Sequence, residues 1–365
     1  MTTPLLTTLK ARLRRRRLDA ILISQPHNRR FLSGFTPLDH GIEESAGALL
    51  IPRTGTPLLL TDSRFELSAK KECPDFEIIL YRKGLLALLK ELFIDLKIKK
   101  CGFESHYTLH STAEKLLEMG AEVGSKLSPV NNLVEKMRLC KGQAELAKIK
   151  RAVLLNEEVF QEVHGTLRPG MTEIEVALQI ENTMRLKGAE RPSFDTIVAA
   201  GPNGALPHAV PTSRPLGKGE PIVIDMGLIL DGYCSDMTRT VVLGTPAPQT
   251  KNIIRLVRQA QLAGMAAVQA GVTGKQVDRE ARKIIKEAGY GDKFGHGLGH
   301  GVGLAVHEAP GLSPRYTKKL KAGMVVTVEP GVYIEGWGGV RLENMVVVEE
   351  GGSRLLNRDT TFLDI

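Results

Sequence analysis

Asp225 follows the apolar run Ile222-Val223-Ile224, and Asp236 precedes Met237-Thr238-Arg239-Thr240-Val241-Val242. Glu329 follows Val325-Val326-Thr327-Val328, and Glu343 precedes Asn344-Met345-Val346-Val347-Val348. A carboxylate at the end of a buried strand is costly unless it is paired or metal-bound. One such residue could cap a strand or join an ion pair. Four of them, beside a segment rich in histidine and glycine, point to a cation site. That segment is Phe294-Gly295-His296-Gly297-Leu298-Gly299-His300-Gly301-Val302-Gly303, with His307 close behind. Its glycines let the backbone pass close to a neighbour, and its histidines supply imidazoles. A phosphate cradle is the competing reading of a glycine run. The G-K-[ST] ending of a P-loop is missing, and the run does not lead from a strand into a capped helix.

Four carboxylates and one imidazole form a hard, oxygen-rich ligand set. It suits Mn²⁺, Co²⁺, Fe²⁺ or Zn²⁺ better than a thiolate site would. Four anionic ligands exceed what one ion needs, so two adjacent divalent cations are expected. A pair of ions can deprotonate a bridging water and stabilise the charge that develops on attack.

These residues need elements to hold them. Strands are expected over Pro221 to Gly227 and Met237 to Leu243, joined by Asp231-Gly232-Tyr233. Two more are expected over Met324 to Glu329 and Asn344 to Glu349. Strand alternation sends every second side chain to one face. A weak internal repeat surrounds them. Gly170-Met171-Thr172 and Gly271-Val272-Thr273 each open a capping box, Thr172 with Glu175 and Thr273 with Gln276. Each following helix ends at a glycine, Gly188 or Gly289, as a left-handed cap prefers. Two related halves about a pseudo-twofold axis follow, with a site possible between them.

The earlier third alternates strands and helices, which predicts a compact α/β domain. Strands are read at Ala20 to Ser24, Ala46 to Ile51, Pro57 to Leu60 and Lys99 to Glu104, and helices at Leu85 to Leu96 and Thr112 to Met119. Ser128-Pro129-Val130-Asn131-Asn132 reads as a turn, and a long helix follows over Gln143 to His164. The division is therefore expected at residue 132, giving domains 1–132 and 133–365.

A chain of 365 residues, 42% hydrophobic and 25% charged, suits a soluble two-domain protein. No apolar run approaches the roughly 18–20 residues that span a bilayer. Met1 to Ser24 makes a poor signal peptide, because its apolar run is short and broken by Asp19. A cytoplasmic location is expected. Cys73, Cys101, Cys140 and Cys234 are scattered, which argues against a zinc ribbon or a disulfide framework. Much of the net charge of +8 sits in Lys10 to Arg17. A nucleic-acid contact is the alternative use of that cluster. The preferred reading is the solvated face of a first helix whose Leu5, Leu6, Leu9, Leu13 and Leu18 face inward, so neither nucleic acid nor membrane is an expected partner.

At its acidic and histidine motifs the sequence resembles the pita-bread metallopeptidases, the family of methionine aminopeptidase, prolidase and Xaa-Pro aminopeptidase. The likeness runs through Asp225-Met226-Gly227, Tyr233-Cys234-Ser235-Asp236-Met237-Thr238-Arg239-Thr240, Gly299-His300-Gly301-Val302-Gly303, Val328-Glu329-Pro330-Gly331 and Arg341-Leu342-Glu343-Asn344. It implies an α/β N-terminal domain of the creatinase/prolidase type and an α+β pita-bread catalytic domain with pseudo-twofold halves. It also implies roles. Asp225 would chelate one metal, Asp236 and Glu343 would bridge both, and His300 and Glu329 would complete the second site. A hydroxide between the metals would attack the scissile carbonyl, with Glu329 as proton shuttle. His208 and His307 resemble the histidines that hold the scissile peptide and stabilise the tetrahedral intermediate or protonate the leaving group. His296 resembles a further pocket histidine, suited to the proline ring or the product. Arg341 would orient Asp236 or Glu343 from behind.

An N-terminal domain narrows the branch. Asn28 to Phe35 and Leu58 to Phe65 resemble the N-terminal domain of Xaa-Pro aminopeptidases and prolidases, while methionine aminopeptidases usually lack one. Thr61-Asp62-Ser63-Arg64-Phe65 leans toward the aminopeptidases. The loop from Thr36 to Glu44 departs from the short Gly/Ser-rich form that branch usually carries. The expected function is hydrolysis between an N-terminal residue and a following proline, by a homodimer with two ions, Mn²⁺ first among the candidates. The alternatives are a Xaa-Pro dipeptidase and a non-catalytic peptide-binding scaffold of the same fold.

Overall fold

The structure is a computed structural model describing residues 4–39, 41–42 and 44–359. His40 and Glu43, within the loop singled out above, lie outside the described residues. The chain divides into two compact units, Met1–Arg138 and Leu139–Ile365. Residue 132, the expected division, falls inside the first.

The first unit is a mixed six-stranded sheet between helices. Its strands are β1 (Ala20–Ile23), β2 (Ala48–Pro52), β3 (Leu58–Thr61), β4 (Glu77–Leu80), β5 (Lys100–Glu104) and β6 (Lys126–Val130), in the order β4-β3-β2-β1-β5-β6. Strand alternation splits the core in two. Ile21, Ile23, Leu49 and Leu59 pack with helix α1 (Pro4–Arg15). Ala20, Leu22, Leu50 and Leu60 pack with α4 (Leu85–Asp95) and α5 (His110–Glu122). Short helices α2 (Pro26–Ser33), α3 (Glu66–Glu72) and α6 (Glu135–Arg138) complete the unit. In α1, Leu6, Leu9 and Leu13 are buried but Leu5 is exposed, because the apolar stripe is one residue wide at its start. Leu18 is buried beyond the helix end.

One expected turn is a strand. Lys126–Val130 forms β6, parallel to β5 and at the sheet edge. An edge strand tolerates a proline that cannot donate a ladder bond, so Pro129 did not break it.

The second unit opens with α7 (Gln143–His164) and α8 (Glu173–Leu186). They cover a sheet of β8 (Ile197–Ala200), β9 (Ile222–Met226) and β12 (Met237–Val241). A smaller sheet holds β7 (Arg191–Pro192), β10 (Leu228–Leu230) and β11 (Tyr233–Cys234). The second half repeats the scheme with α9 (Pro248–Ala267) and α10 (Gly274–Glu287). Their apolar faces pack on a sheet built from β13 (Gly299–Gly301), β14 (Glu308–Leu312), β15 (Val325–Val328), β18 (Asn344–Glu349) and β19 (Gly352–Leu355). The hairpin of β16 (Gly331–Ile334) and β17 (Gly338–Arg341) lies between β15 and β18 in the chain.

The repeat extends further than the sequence alone suggested. Thr172 and Thr273 both cap their helices through capping boxes. Gly170 N donates to Leu216 O and Gly271 N to Leu320 O, each at 3.0 Å. The same number of residues then separates Leu216 from Asp225 and Leu320 from Glu329. The two acids are therefore counterparts in the two halves.

Asp231-Gly232 does not join β9 to β12 directly. It turns β10 into β11, with Leu230 opposite Tyr233. Asp231 and Gly232 both have positive φ, 51° and 82°. That is the signature of a two-residue type I′ turn, which Asp-Gly favours. A hairpin in another sheet is thus inserted between the two site-bearing strands.

Replacing Thr273 with alanine removes the bond that Gln276 N donates to its hydroxyl oxygen. Loss of such a cap costs about 1 kcal/mol. Chemical denaturation of Thr273→Ala checks this, and an unchanged midpoint would contradict it.

Candidate metal centre

Each half delivers two acids from one antiparallel strand pair. Asp225 is the fourth residue of β9, and Asp236 immediately precedes β12. Thr238 stands opposite Asp225 in that pair. In the second half Glu329 follows β15 and Glu343 precedes β18, with Val328 opposite Asn344. His300 is the central residue of β13, on the other edge of β15. A Cβ at Gly299 would run into the Thr327 carbonyl. Glycine there lets β13 come close enough to place its imidazole among the acids.

Asp225, Asp236, His300, Glu329 and Glu343 all line one cavity of about 460 Å³, and His208, His296, His307 and Arg341 line it too. Ligand atoms of Asp236, His300 and Glu343 lie within 4.8 Å of one another. His300 Nε2 is 3.2 Å from Glu329 Oε1 and 3.5 Å from Asp236 Oδ2. Two threonines aim the glutamates. Thr238 Oγ1 donates to Glu343 Oε2 at 2.8 Å, and Thr327 Oγ1 donates to Glu329 Oε1 at 3.0 Å. Asp225 Oδ1 and Glu343 Oε1 are buried with no hydrogen-bond partner among the described residues. A buried polar atom left without a partner costs about 1–3 kcal/mol. Two such oxygens in a pocket lined by four acids fit a bound divalent cation.

The electrostatics lead to the same place. Burial, then repulsion from Glu343, Asp225 and Glu329, pushes the Asp236 carboxyl well above its ordinary range. Burial, then Glu329 and Asp225, does the same to Glu343. Burial also raises Asp225, although the Arg341 guanidinium partly offsets it. Burial alone would raise Glu329 too, but its bond to His300 outweighs this and holds it at about 2. His300 is raised correspondingly, with the Glu329 contact overcoming the lowering effect of burial. Positive charge is what this cluster needs, and one imidazolium supplies too little.

Arg341 departs from the expected arrangement. Its Nη2 donates to Asp225 Oδ2 at 2.7 Å, not to Asp236 or Glu343. Its Nε donates to Thr238 Oγ1, and its Nη1 to Tyr333 Oη and Pro207 O. Arg341 ends β17, and the guanidinium reaches across to β9. Tyr333 Oη in turn lies 2.9 Å from His296 Nε2. Tyr333, Thr238 and Thr327 escaped the sequence reading. Thr327 was legible, since it precedes Glu329 by two and shares its strand face. Tyr333 carried no such signal.

The histidines differ in setting. His296 packs edge-on against Phe294, and burial lowers its pKa. The His307 ring sits 4.3 Å from that of His300, and partial burial, then the His300 charge, lowers its pKa. His208 is exposed and held by no hydrogen bond to its ring among the described residues.

The profile of metallopeptidase family M24 matches residues 147–350, which contain every one of these side chains. The chain belongs to that family. The creatinase/prolidase N-terminal domain matches residues 6–140, as M24 peptidases with a leading α/β unit would show. An uncharacterized peptidase of Bacillus subtilis is 39% identical over 93% of both chains. A Xaa-Pro dipeptidase from Bacillus anthracis superposes with a TM-score of 0.91 at 36% identity, covering 98% of this chain and 97% of that one. An X-Pro aminopeptidase from Thermotoga maritima gives 0.87 at 39%, covering 96% and 98%. The expected fold, an α/β N-terminal domain and an M24 catalytic domain, is the one observed. As an M24 member the protein is a metal-dependent peptidase.

For this M24 site the raised Asp236 carboxyl has a measurable consequence. An acid whose folded pKa is raised destabilises the fold once pH exceeds its unfolded value, near 3.8 here. In metal-stripped protein Asp236→Asn should therefore stabilise by about 1–3 kcal/mol at neutral pH, and the gain should shrink as pH falls toward 4. Saturating Mn²⁺ should reverse the sign, because a ligand is then missing. Urea denaturation with and without Mn²⁺ checks this. A destabilised metal-free variant at neutral pH would refute it.

Proposed function

We propose that the protein is a two-metal Xaa-Pro aminopeptidase, cleaving the bond between an N-terminal residue and a following proline. The observation that carries this is the convergence of four acids and His300 on one pocket, with buried oxygens of Asp225 and Glu343 left unpaired. Asp225, Asp236, His300, Glu329 and Glu343 would hold two divalent ions. The oxygen-rich set favours Mn²⁺, with Co²⁺, Fe²⁺ or Zn²⁺ as alternatives. When bound, such a pair supplies an activated water and neutralises charge on the scissile carbonyl.

The chain's own residues do the rest. Glu329, ionised beside His300, is placed to accept and return a proton. His307, with a lowered pKa, is neutral near pH 7 and can donate an N–H to the substrate carbonyl or leaving nitrogen. His208 borders the same cavity and would hold the scissile peptide. Phe194, Ile197 and Val210 give the pocket an apolar wall, and His296 stands nearby, a setting that suits a proline ring. Arg341 orients Asp225 rather than reacting. A homodimer and a cytoplasmic location belong to the same proposal.

A Xaa-Pro dipeptidase is the second reading, supported by the relative of that name from Pyrococcus horikoshii, 34% identical over 93% of both chains. Metal-stripped protein restored with Mn²⁺ or Co²⁺ and given a Xaa-Pro dipeptide and a Xaa-Pro tetrapeptide separates the two. Cleavage of both, or of the tetrapeptide alone, supports the aminopeptidase. Cleavage of the dipeptide alone makes it a dipeptidase, and cleavage of neither with metal bound rejects Xaa-Pro specificity. Asp236→Ala should abolish activity and lower metal content. His307→Ala should keep its metal and lose about 10²–10³ in turnover. Full activity in the first variant, or metal loss in the second, would contradict these assignments.

A further inference from the structure

His208 lies in the segment of residues 201–212, which opens with a 3₁₀ turn at Gly201–Ala205, and among the described residues nothing hydrogen-bonds its ring. Its position must therefore come from the backbone. The base of this segment is gathered on one carboxylate. Glu173 is the first residue of α8 and is fully buried. Its Oε1 accepts from Ala200 N at 2.8 Å, at the end of β8. Its Oε2 accepts from Asn203 Nδ2 at 2.9 Å, Thr212 N at 2.9 Å and Thr212 Oγ1 at 2.6 Å. A buried carboxylate is tolerated only when its oxygens are so satisfied. These bonds join both flanks of the segment at a single point. The α8 N-terminus, whose dipole favours a negative charge, supports that point. Near the tip, Arg341 Nη1 bonds Pro207 O, next to His208.

The counterpart of Glu173 after the second capping threonine is Gly274, which has no side chain to do this. The carboxylate is thus not required by the capped-helix repeat. What the first half has in addition is the segment carrying His208.

We infer that Glu173 is a positioning residue, which fixes the 201–212 segment so that His208 reaches the substrate. This rests on the peptidase reading only for its effect on turnover. Two measurements on the full-length, Mn²⁺-loaded protein test it. By hydrogen exchange, Glu173→Gln should speed the amides of 201–212 by about tenfold or more, while those of 222–241 and 325–348 keep their protection. In Xaa-Pro hydrolysis, Glu173→Gln should lose about tenfold or more in kcat/KM with metal content unchanged, since small misplacements of a catalytic group carry such penalties. In a His208→Ala background the same substitution should cost less than about twofold, because the residues act as a unit.

A full penalty in the His208→Ala background would overturn the inference. So would loss of metal, exchange rising uniformly over the catalytic unit, or unchanged exchange in 201–212. If wild-type protein cleaves no Xaa-Pro substrate, the Xaa-Pro reading fails, and the exchange result still decides whether Glu173 holds the segment.

Discussion

Mutual repulsion among four crowded carboxylates, two of them buried and two half-buried, is the constraint on which the catalytic unit turns. Asp225, Asp236, Glu329 and Glu343 crowd one pocket, and three of them are held above their ordinary pKa. No fold would assemble this for stability alone. The surrounding structure therefore opposes it with rigid strand pairs, aimed threonines and one buried guanidinium. The acids sit at strand ends, where backbone geometry is fixed by ladder bonds rather than by the side chains themselves. That leaves the cluster preformed and able to take up positive charge, and it explains why the threonines and the guanidinium nearest to it are so fully used.

The two halves share the work unequally. Each contributes a pair of acids from equivalent strands, which accounts for the four carboxylates. Among the described residues only the second sets an imidazole directly against the acids, because β13 carries His300 where β8 has an apolar residue. Only the first carries the 201–212 segment held by Glu173. The pseudo-twofold frame thus supplies the common geometry of the acids, and the departures from it supply the groups proposed to meet the substrate.

Much of this was legible in the sequence. An acid at the end of an apolar run is conspicuous, and the capping boxes at Thr172 and Thr273 announced the repeat. α7 and β18 were read with their observed bounds. The failures have physical causes. Ser128-Pro129 looked like a turn because proline is barred from interior strands, yet β6 is an edge. Asp231-Gly232 was rightly read as a turn, but nothing local shows which strands a turn connects. Arg341 was assigned to the wrong acid because the choice among Asp225, Asp236 and Glu343 depends on where β17 lies against β9. Tyr333 was missed because its role is defined only by its neighbours His296 and Arg341. Local chemistry is written in the chain; partners across strands are not.

Arg341 connects what the two halves own separately. It springs from β17 in the second half, grips Asp225 in the first, and touches Tyr333 on one side and Pro207 on the other. A buried, multiply bonded guanidinium of this kind acts as a rivet. Hinge motion between the halves would have to shear it, leaving charges stranded in a low-dielectric interior. The cleft is accordingly a fixed jaw, and its lip carries the exposed His208 and Val210.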